Sequence, residues 1–347
     1  MSKQIEKDAV CTIASKNYLA QTMVMAKSIW ECNMKRKVYI LIADNVDDEI
    51  KLEDMEFNKN ITLVTLKELH IENVNKMAFY YNLVEFNTAV KPFFMKYLLD
   101  TFHLNKLIYL DPDTMVFHDF DHTFECLETD SIVITPHVIT SKKELYTDHE
   151  EFLMFGTYNL GFLGIKSGEI TMAFLDWWAE KLEESCFYDP DRGLAWDQKW
   201  VNMVPAIFPK VKILKDPGYN VSYWNLQERK VEEKEKNFIV NKQYPLVFYH
   251  FSHFNIEKKG YIIDYGPGRL RVRLEDHKEL IHIFDKYCKE LASMNLDMYK
   301  KKTYCFNYFS NGQEIKPEFR KAFINSSQFS NIENPFVELS ELDFSVQ

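Results

Sequence analysis

An apolar run at residues 107–117 is interrupted by two carboxylates, Asp111 and Asp113, on either side of Pro112. Side chains at i and i+2 of a strand project to the same face, and proline restricts the turn between them. Mg²⁺ and Mn²⁺ favour such oxygen ligands, and ligands of α/β sheets gather beyond the carboxyl ends of buried strands. The sequence therefore predicts a divalent-metal site here. The alternative is an ordinary turn at a strand end.

Strand-like and helix-like segments alternate through most of the chain. This alternation is typical of βαβ units, and it predicts an α/β fold with a mostly parallel, Rossmann-like central sheet flanked by helices. The strand-like segments are residues 9–14, 37–43, 61–66, 107–110, 131–135, 161–165 and 246–251, and the helix-like segments are residues 19–32, 47–54, 88–102, 170–186 and 276–292.

The pattern changes near Asn255, where a Gly-Pro loop at residues 265–268, a helix and an irregular polar tail follow. We expect a first domain of residues 1–255 and a C-terminal helical extension of residues 256–347, either as two domains or as one continuous domain. The strongly charged residues 227–237 predict a solvated loop or a short exposed helix.

Composition excludes several classes of protein. The net charge of −10 argues against a nucleic-acid partner, because a surface that follows phosphates needs a dominant positive field. The six cysteines form no Cys-x-x-Cys pair and indicate neither a zinc site nor a disulfide framework. The N-terminus is charged and no apolar run approaches the roughly 18 residues of a membrane span, so we expect a cytoplasmic protein.

The first predicted strand ends in a polar loop that holds Ser15, Asn17 and Tyr18 but no Gly-x-Gly-x-x-Gly. A base stacked on Tyr18, with polar contacts from Ser15 and Asn17, is one interpretation, and a simple helix cap is the other. Asp44 ends the next strand at the same predicted sheet edge. It suits a ribose hydroxyl or a base, or it caps a helix that follows.

His250 lies in a late strand-like run. Two carboxylates and a neutral imidazole leave positions for diphosphate oxygens around an octahedral cation, which makes His250 a candidate third metal ligand. The alternative is a hydrogen-bonded histidine of the core.

Two further segments suit sugar recognition. In the first, Asn159 offers an amide for hydrogen bonds, and Gly161 allows a sugar to approach the backbone closely. In the second, Asp197 and Gln198 lie between two tryptophans. The alternative for the second segment is an amphipathic helix that buries Trp196 and Trp200 on one side, at i and i+4.

Taken in order, the Ala-Ser-Lys-Asn-Tyr loop, Asp-Pro-Asp, Asn-Leu-Gly-Phe-Leu-Gly, Trp-Asp-Gln and the late Tyr-His-Phe-Ser resemble nucleotide-sugar glycosyltransferases of the GT-A fold. The resemblance covers residues 9–255 and is nearest to family 8 and similar bacterial polysaccharide transferases. It implies a GT-A fold, a UDP-sugar donor, a glycan or lipid-linked glycan acceptor, and Mn²⁺ or Mg²⁺ as cofactor.

The resemblance also implies roles for individual residues. Asp197 would act as general base if the reaction inverts, and Asp197 or Gln198 would steady the donor if it retains. The implied sets are Asp111, Asp113 and His250 for the metal, Thr12, Ser15, Tyr18, Asp44 and Lys91 with Asp111 and Asp113 for the nucleotide, and Asn159, Gly161, Asp197 and Gln198 for the donor sugar.

The sequence departs from family 8 after His250, because residues 251–255 stand where the family has Gly and Lys-Pro-Trp. The choice between Lys258 and Lys259 as the lysine that would contact the diphosphate therefore stays open. Basic residues 269, 271, 273 and 300–302 suit either peripheral contact with an anionic membrane or acceptor, or a solvated face.

Two other classes of protein remain as alternatives. One is a haloacid dehalogenase-like phosphatase with Asp111 as nucleophile, although Met115 stands where Thr or Val is expected. The other is a noncatalytic nucleotide-sugar or glycan-binding protein.

Overall fold

The computed structural model describes residues 7–44, 50, 55–141, 146–235, 237–325, 329 and 331–340. The helix expected at residues 47–54 and the helix that Asp44 would cap fall outside these residues, apart from Ile50.

The described chain contains sixteen strands and thirteen α-helices. The strands are β1 (Asp8–Ala14), β2 (Lys37–Ile42), β3 (Ile61–Thr65), β4 (Lys106–Leu110), β5 (Thr114–Val116), β6 (Ile132–Pro136), β7 (Tyr158–Lys166), β8 (Tyr188–Asp189), β9 (Leu194–Ala195), β10 (Val211–Ile213), β11 (Val231–Lys234), β12 (Asn237–Val240), β13 (Tyr244–Pro245), β14 (Phe248–His250), β15 (Tyr261–Asp264) and β16 (Arg271–Arg273). The helices are α1 (Leu19–Cys32), α2 (Val74–Tyr80), α3 (Leu83–Ala89), α4 (Lys91–Thr101), α5 (Asp121–Thr129), α6 (His149–Phe155), α7 (Glu169–Ser185), α8 (Gln198–Val201), α9 (Val204–Ile207), α10 (Ile281–Ser293), α11 (Leu296–Tyr299), α12 (Pro317–Asn325) and α13 (Pro335–Glu338).

The central sheet has seven strands in the order β10-β6-β7-β4-β1-β2-β3. Its pairings are parallel except those of β7, which lies antiparallel between β6 and β4. The expected mostly parallel α/β sheet is confirmed. Because β1 is parallel to both β2 and β4, the carboxyl ends that precede Asp44 and Asp111 lie at the same edge of the sheet.

The two faces of the sheet separate two hydrophobic cores. In β1, Val10 faces one core, whereas Cys11 and Ile13 face the other; β2 divides in the same way, with Ile40 and Leu41 on opposite sides. Helices cover both faces, and this explains why these strands read as continuous apolar runs rather than as alternating ones.

Helix α1 has the expected bounds, and α7 differs from its expected bounds by one residue at each end. Three local expectations are wrong. Residues 227–237 contain β11, which pairs with β12, rather than a loop or helix. Trp196 precedes α8 and has a positive φ of 51°, so it does not share a helix face with Trp200. The irregular polar tail instead forms α12 and α13.

The C-terminal extension packs into both cores. Phe284 and Tyr287 of α10 contact Tyr249 and Phe251 on either side of His250, with the rings of Phe251 and Tyr287 stacked at 3.6 Å. Farther along, the buried ring of Phe336 packs against Phe79 of α2.

Among the described residues, no helix combines the length and apolar character needed to cross a membrane.

Arg320 of α12 fixes the extension to the C-terminal end of α2. Its buried guanidinium donates hydrogen bonds to the carbonyls of Ala78, Tyr81 and Phe306. Replacing it by methionine leaves these carbonyls buried without donors, so we expect Arg320→Met to lower the free energy of unfolding by about 3 kcal/mol, measured by urea denaturation. Lys321→Met, at the exposed neighbouring position, should change it by less than about 0.5 kcal/mol. Equal effects of the two variants would contradict this role.

Candidate active site

The two carboxylates lie in the turn between β4 and β5, at the edge of the sheet. Strand β14 pairs antiparallel with β5 and sets His250 opposite Thr114. The imidazole Nε2 lies 3.1 Å from Asp113 Oδ1 and 3.9 Å from Asp111 Oδ2. One ligand atom from each of Asp111, Asp113 and His250 falls within 4.8 Å of the others. The sequence prediction that these three residues come together is confirmed.

This donor set fits a divalent cation. Two carboxylates and one imidazole are ligands that Mn²⁺ accepts, and they leave coordination positions open for substrate oxygens. The carboxylates are partly exposed whereas His250 is buried, so a cation held here would face the open side of the site.

The electrostatics of the cluster couple Asp113 to His250. Burial disfavours the charged imidazole, but the carboxylate of Asp113, with a smaller contribution from Asp111, outweighs it and raises the pKa of His250 above 6.5. Burial likewise opposes ionisation of Asp113, and the imidazole next to it lowers the pKa of this carboxyl. When His250 is protonated in the metal-free protein, its imidazolium places a positive charge beside the two carboxylates.

Lys91 places a second positive charge behind the cluster. Its ammonium lies 2.7 Å from Asp197 Oδ2 and 3.6 Å from Asp111 Oδ1, and donates to the Leu160 carbonyl at 3.1 Å. It also lies 4.5 Å from the ring centre of Tyr109, whose hydroxyl donates to Asp111. Burial disfavours its charge, but Asp197 and Asp111 more than compensate and raise the pKa of Lys91. Lys91 thus joins Asp111 to Asp197.

Asp197 is brought to the site by an unusual backbone at Trp196, whereas the side chain of the next residue, Gln198, is not. The positive φ of Trp196 turns the chain between β9 and α8, after which the Asp197 side chain is 4% exposed and paired with Lys91. The amide of Gln198 points elsewhere, because its Nε2 donates to the Phe155 carbonyl at 3.0 Å.

Gly161 lies under the imidazole of His250. A Cβ atom at this glycine would stand 2.5 Å from His250 Cε1 and 2.8 Å from Asn159 Oδ1, closer than such atoms approach in proteins. The glycine therefore allows His250 to pack on β7. Asn159 Oδ1 accepts a hydrogen bond from the Gly161 N–H at 3.0 Å.

The loop after β1 lies beside the cluster. Tyr18 is 39% exposed, and burial, with the charges of Asp113 and Asp111, raises the pKa of its phenol to about 12. Ser15 is buried and bonds Asn17.

Thr12 and Asp44 lie deeper than Tyr18. The Thr12 hydroxyl is buried and has no hydrogen-bond partner among the described residues. Asp44 is 2% exposed and accepts from the backbone N–H groups of Lys16 and Cys305. Asp44 therefore joins the loop after β1 to the C-terminal extension.

Lys258, one of the two candidate diphosphate lysines, and part of the basic set pair with neighbouring carboxylates. Lys258 pairs with Asp264, to which Arg271 also binds at 3.0 Å. Arg273 binds Glu275 in the same way. This pairing favours the interpretation of a solvated face.

Two buried residues that sequence reasoning missed complete the site. Asn220 contacts both His250 and Asn159, and His137 contacts Asn159 from the other side. Neither has a local signal stronger than a polar residue near a strand end, so only the folded chain identifies them.

A cavity of about 450 Å³ lies away from the cluster, between the end of β3, the start of α2 and the C-terminal extension. It shares Asp44 with the predicted site residues, and the chemistry described above lies outside it.

The fold and the site can now be compared with known proteins. The family profile described as glycosyl transferase family 8 matches residues 9–173. The galactosyltransferase LgtC, solved in complex with donor and acceptor sugar analogues, has a TM-score of 0.50 and 14% identity, and the match covers 83% of this chain and 96% of that one. The chain has a GT-A fold and is similar to glycosyl transferase family 8 over residues 9–173.

Two proteins of Bacillus subtilis (strain 168) are also similar to this chain. YfnF, itself described as uncharacterized, is 28% identical over 251 residues, which cover 72% of this chain and 82% of YfnF. YfnD, also described as uncharacterized, is 26% identical over 285 residues, which cover 81% of this chain and 87% of YfnD. The resemblance and fold expected from the ordered motifs are confirmed.

The close packing at Gly161 makes it a sensitive position of the protein. We expect Gly161→Ala to push His250 away from the carboxylates and to weaken Mn²⁺ binding at least about tenfold, measured by calorimetry. Gly164→Ala is a matched control on the same strand, since its Cβ would meet Thr123 instead. Equal Mn²⁺ affinities in the two variants would show that the contact with His250 is unimportant.

The raised pKa of His250 predicts pH-dependent metal binding. The cation needs the Nε2 lone pair that the proton occupies, so Mn²⁺ affinity should rise with pH, by up to about tenfold per pH unit, until His250 is neutral. Mn²⁺ titrations across a pH series measure this. His250→Gln should remove the dependence above pH 6.5. An unchanged slope in that variant would mean that another group competes with the metal.

Proposed function

We propose that this protein is a glycosyltransferase that transfers a hexosyl group from a UDP-sugar to a glycan or lipid-linked glycan acceptor, with Mn²⁺ or Mg²⁺ as cofactor. The observation that carries the proposal is the convergence of Asp111, Asp113 and His250 at the sheet edge, with the Lys91 ammonium 3.6 Å from Asp111. A cation held by the three ligands would supply Lewis-acid neutralisation of the departing diphosphate.

The nucleotide would bind along the loop after β1. Tyr18 offers a half-exposed ring for the base next to the carboxylates, and Ser15 and Asn17 hold the loop in shape. Asp44, in this proposal, supports the loop through the N–H of Lys16 rather than by contacting the ribose, because its carboxylate is buried.

Asp197 is proposed to act on the donor side. A general base must reach the acceptor hydroxyl, whereas the Asp197 side chain is 4% exposed and ion-paired with Lys91 at 2.7 Å. This burial supports the retaining alternative, in which Asp197 keeps Lys91 and the donor sugar in place. Asn159 has one amide hydrogen left for a sugar hydroxyl, because its oxygen accepts from Gly161 and Asn220 and its other N–H bonds His137.

The acceptor and the cellular setting follow from the resemblance to bacterial polysaccharide transferases. We propose a cytoplasmic enzyme that works at the inner face of the membrane on an acceptor made there. The domain of residues 1–255 would hold the donor and the metal, and the extension would support His250 through α10.

The metal ligands provide the direct test. Wild-type protein should bind UDP in calorimetry only when Mn²⁺ is present, and the double variant Asp111→Ala/Asp113→Ala should lose this binding. In a screen of UDP-sugars for transfer or slow hydrolysis, Asp113→Ala should lower turnover at least about 100-fold, because charge stabilisation at the diphosphate is lost.

Asp100→Ala, at an exposed position of α4, is the matched control and should behave as wild type. Failure of the wild type to bind UDP, GDP or CMP with either metal would overturn the proposal. Phosphate release from p-nitrophenyl phosphate would instead favour the phosphatase, and nucleotide-sugar binding without turnover would favour a binding protein.

A further inference from the structure

A chain of buried hydrogen bonds runs behind the metal ligands, from Gly161 through Asn159 and Asn220 to His250. Asn159 Oδ1 accepts from the Gly161 N–H at 3.0 Å and from Asn220 Nδ2 at 2.9 Å. Asn220 Oδ1 lies 3.0 Å from His250 Nδ1. Asn220 is 1% exposed and His250 is 3% exposed, so water does not compete for the bond between these two residues.

The proton positions along this chain follow from one backbone group. A backbone N–H can only donate, so the atom of Asn159 that faces Gly161 must be its oxygen. The atom of Asn220 that approaches the same oxygen must then be its NH₂, and the oxygen of Asn220 must face His250. His250 Nδ1 therefore carries a proton and donates a hydrogen bond to Asn220 Oδ1.

The other ring nitrogen of His250 consequently points its lone pair at the carboxylates. A neutral imidazole has one N–H and one lone pair, so fixing the proton on Nδ1 frees Nε2. Nε2 is the atom that lies 3.1 Å from Asp113. The opposite tautomer would turn an N–H toward a bound cation and could not coordinate it.

The backbone holds Asn220 rigidly in this position. Asn220 has a φ of 54°, a left-handed conformation that asparagine tolerates better than most residues. Its carbonyl accepts from Asn225 Nδ2 at 3.0 Å, and the N–H of His250 donates to the Val221 carbonyl at 2.8 Å. The segment around Asn220 thus moves together with β14.

The same argument extends to the far end of the chain. Asn159 Nδ2 donates to His137 Nε2 at 3.2 Å, so His137 must carry its proton on Nδ1, which faces the Thr157 carbonyl at 3.3 Å. Every hydrogen bond in this chain of residues has one donor and one acceptor. All of them are satisfied by a single choice of histidine tautomers and asparagine amide orientations.

We propose that Asn220 is a positioning residue that fixes the Nδ1–H tautomer of His250 and, through the same amide, the orientation of Asn159. The Asn220 side chain thereby directs the Nε2 lone pair of His250 at the metal. It also turns the remaining amide hydrogen of Asn159 toward the donor sugar. The part that concerns metal binding rests on the proposed metal site, whereas the tautomer of His250 belongs to the metal-free protein.

A comparison of Asn220→Gly with Asn220→Asp distinguishes loss of the hydrogen-bond acceptor for His250 Nδ1 from a general structural effect of the substitution. Glycine tolerates the left-handed backbone but removes the acceptor, so we expect Mn²⁺ affinity to fall about 10- to 100-fold. Aspartate keeps an acceptor for His250 Nδ1, so Mn²⁺ affinity should stay within a few-fold of wild type. Thr135→Val is the control, because Thr135 makes only a longer bond, of 3.3 Å, to the Asn220 amide.

A second readout needs neither metal nor activity. In metal-free protein labelled with ¹⁵N-histidine, at a pH where His250 is neutral, the imidazole shifts should report Nδ1–H in wild type, Thr135→Val and Asn220→Asp. The signal should move toward the usual Nε2–H mixture in Asn220→Gly. His250→Gln identifies the resonance.

Nε2–H at His250 in wild type or in Asn220→Asp would overturn the proposal, as would wild-type Mn²⁺ affinity in Asn220→Gly. If Asn220→Gly does not fold, the tautomer in Asn220→Asp and in wild type still decides the question. If the wild type binds no Mn²⁺, the metal proposal fails, while the tautomer measurement still tests the role of Asn220.

Discussion

The site depends on the gathering of negative charge at the end of a buried strand. Asp111, Asp113 and Asp197 all lie where the sheet limits access to water, and a buried carboxylate is costly unless a positive charge lies close to it. Lys91 offsets one of the two negative charges of Asp111 and Asp197 from inside the protein. The other charge of that pair and the charge of Asp113 are left to His250 and to whatever cation the site holds. This division explains why one side of the cluster is fixed and the other is available for ligands.

Close packing supports the electrostatics. The imidazole of His250 rests on Gly161, where a Cβ has no room, and Trp224 approaches its ring edge-on at 5.3 Å. Asn220 holds its Nδ1 nitrogen. A ring held by packing on two sides and by a hydrogen bond on a third has little freedom to turn, so the ligand is preorganised before a cation or a substrate arrives.

The C-terminal extension contributes to the site from two directions. Tyr287 stacks on Phe251 directly after His250, and Cys305 donates its N–H to Asp44, which in turn accepts from Lys16 in the loop beside Tyr18. The extension therefore supports both the metal ligand and the loop proposed to bind the nucleotide. The proposed boundary at residue 255 separates two stretches of sequence that share both hydrophobic cores.

The sequence by itself determined the alternation of strands and helices, the bounds of α1, and the pairing of Asp111 with Asp113, because periodicity and i, i+2 spacing are local properties of the chain. It also indicated His250 as a third ligand through the chemistry of the donor set. Only the tertiary structure decided that β14 pairs with β5, that Lys91 meets Asp197, and that Asn220 orients His250. These contacts join residues 30 to more than 130 positions apart. The packing of the tail likewise depends on distant partners, because Phe336 is buried against Phe79 of α2.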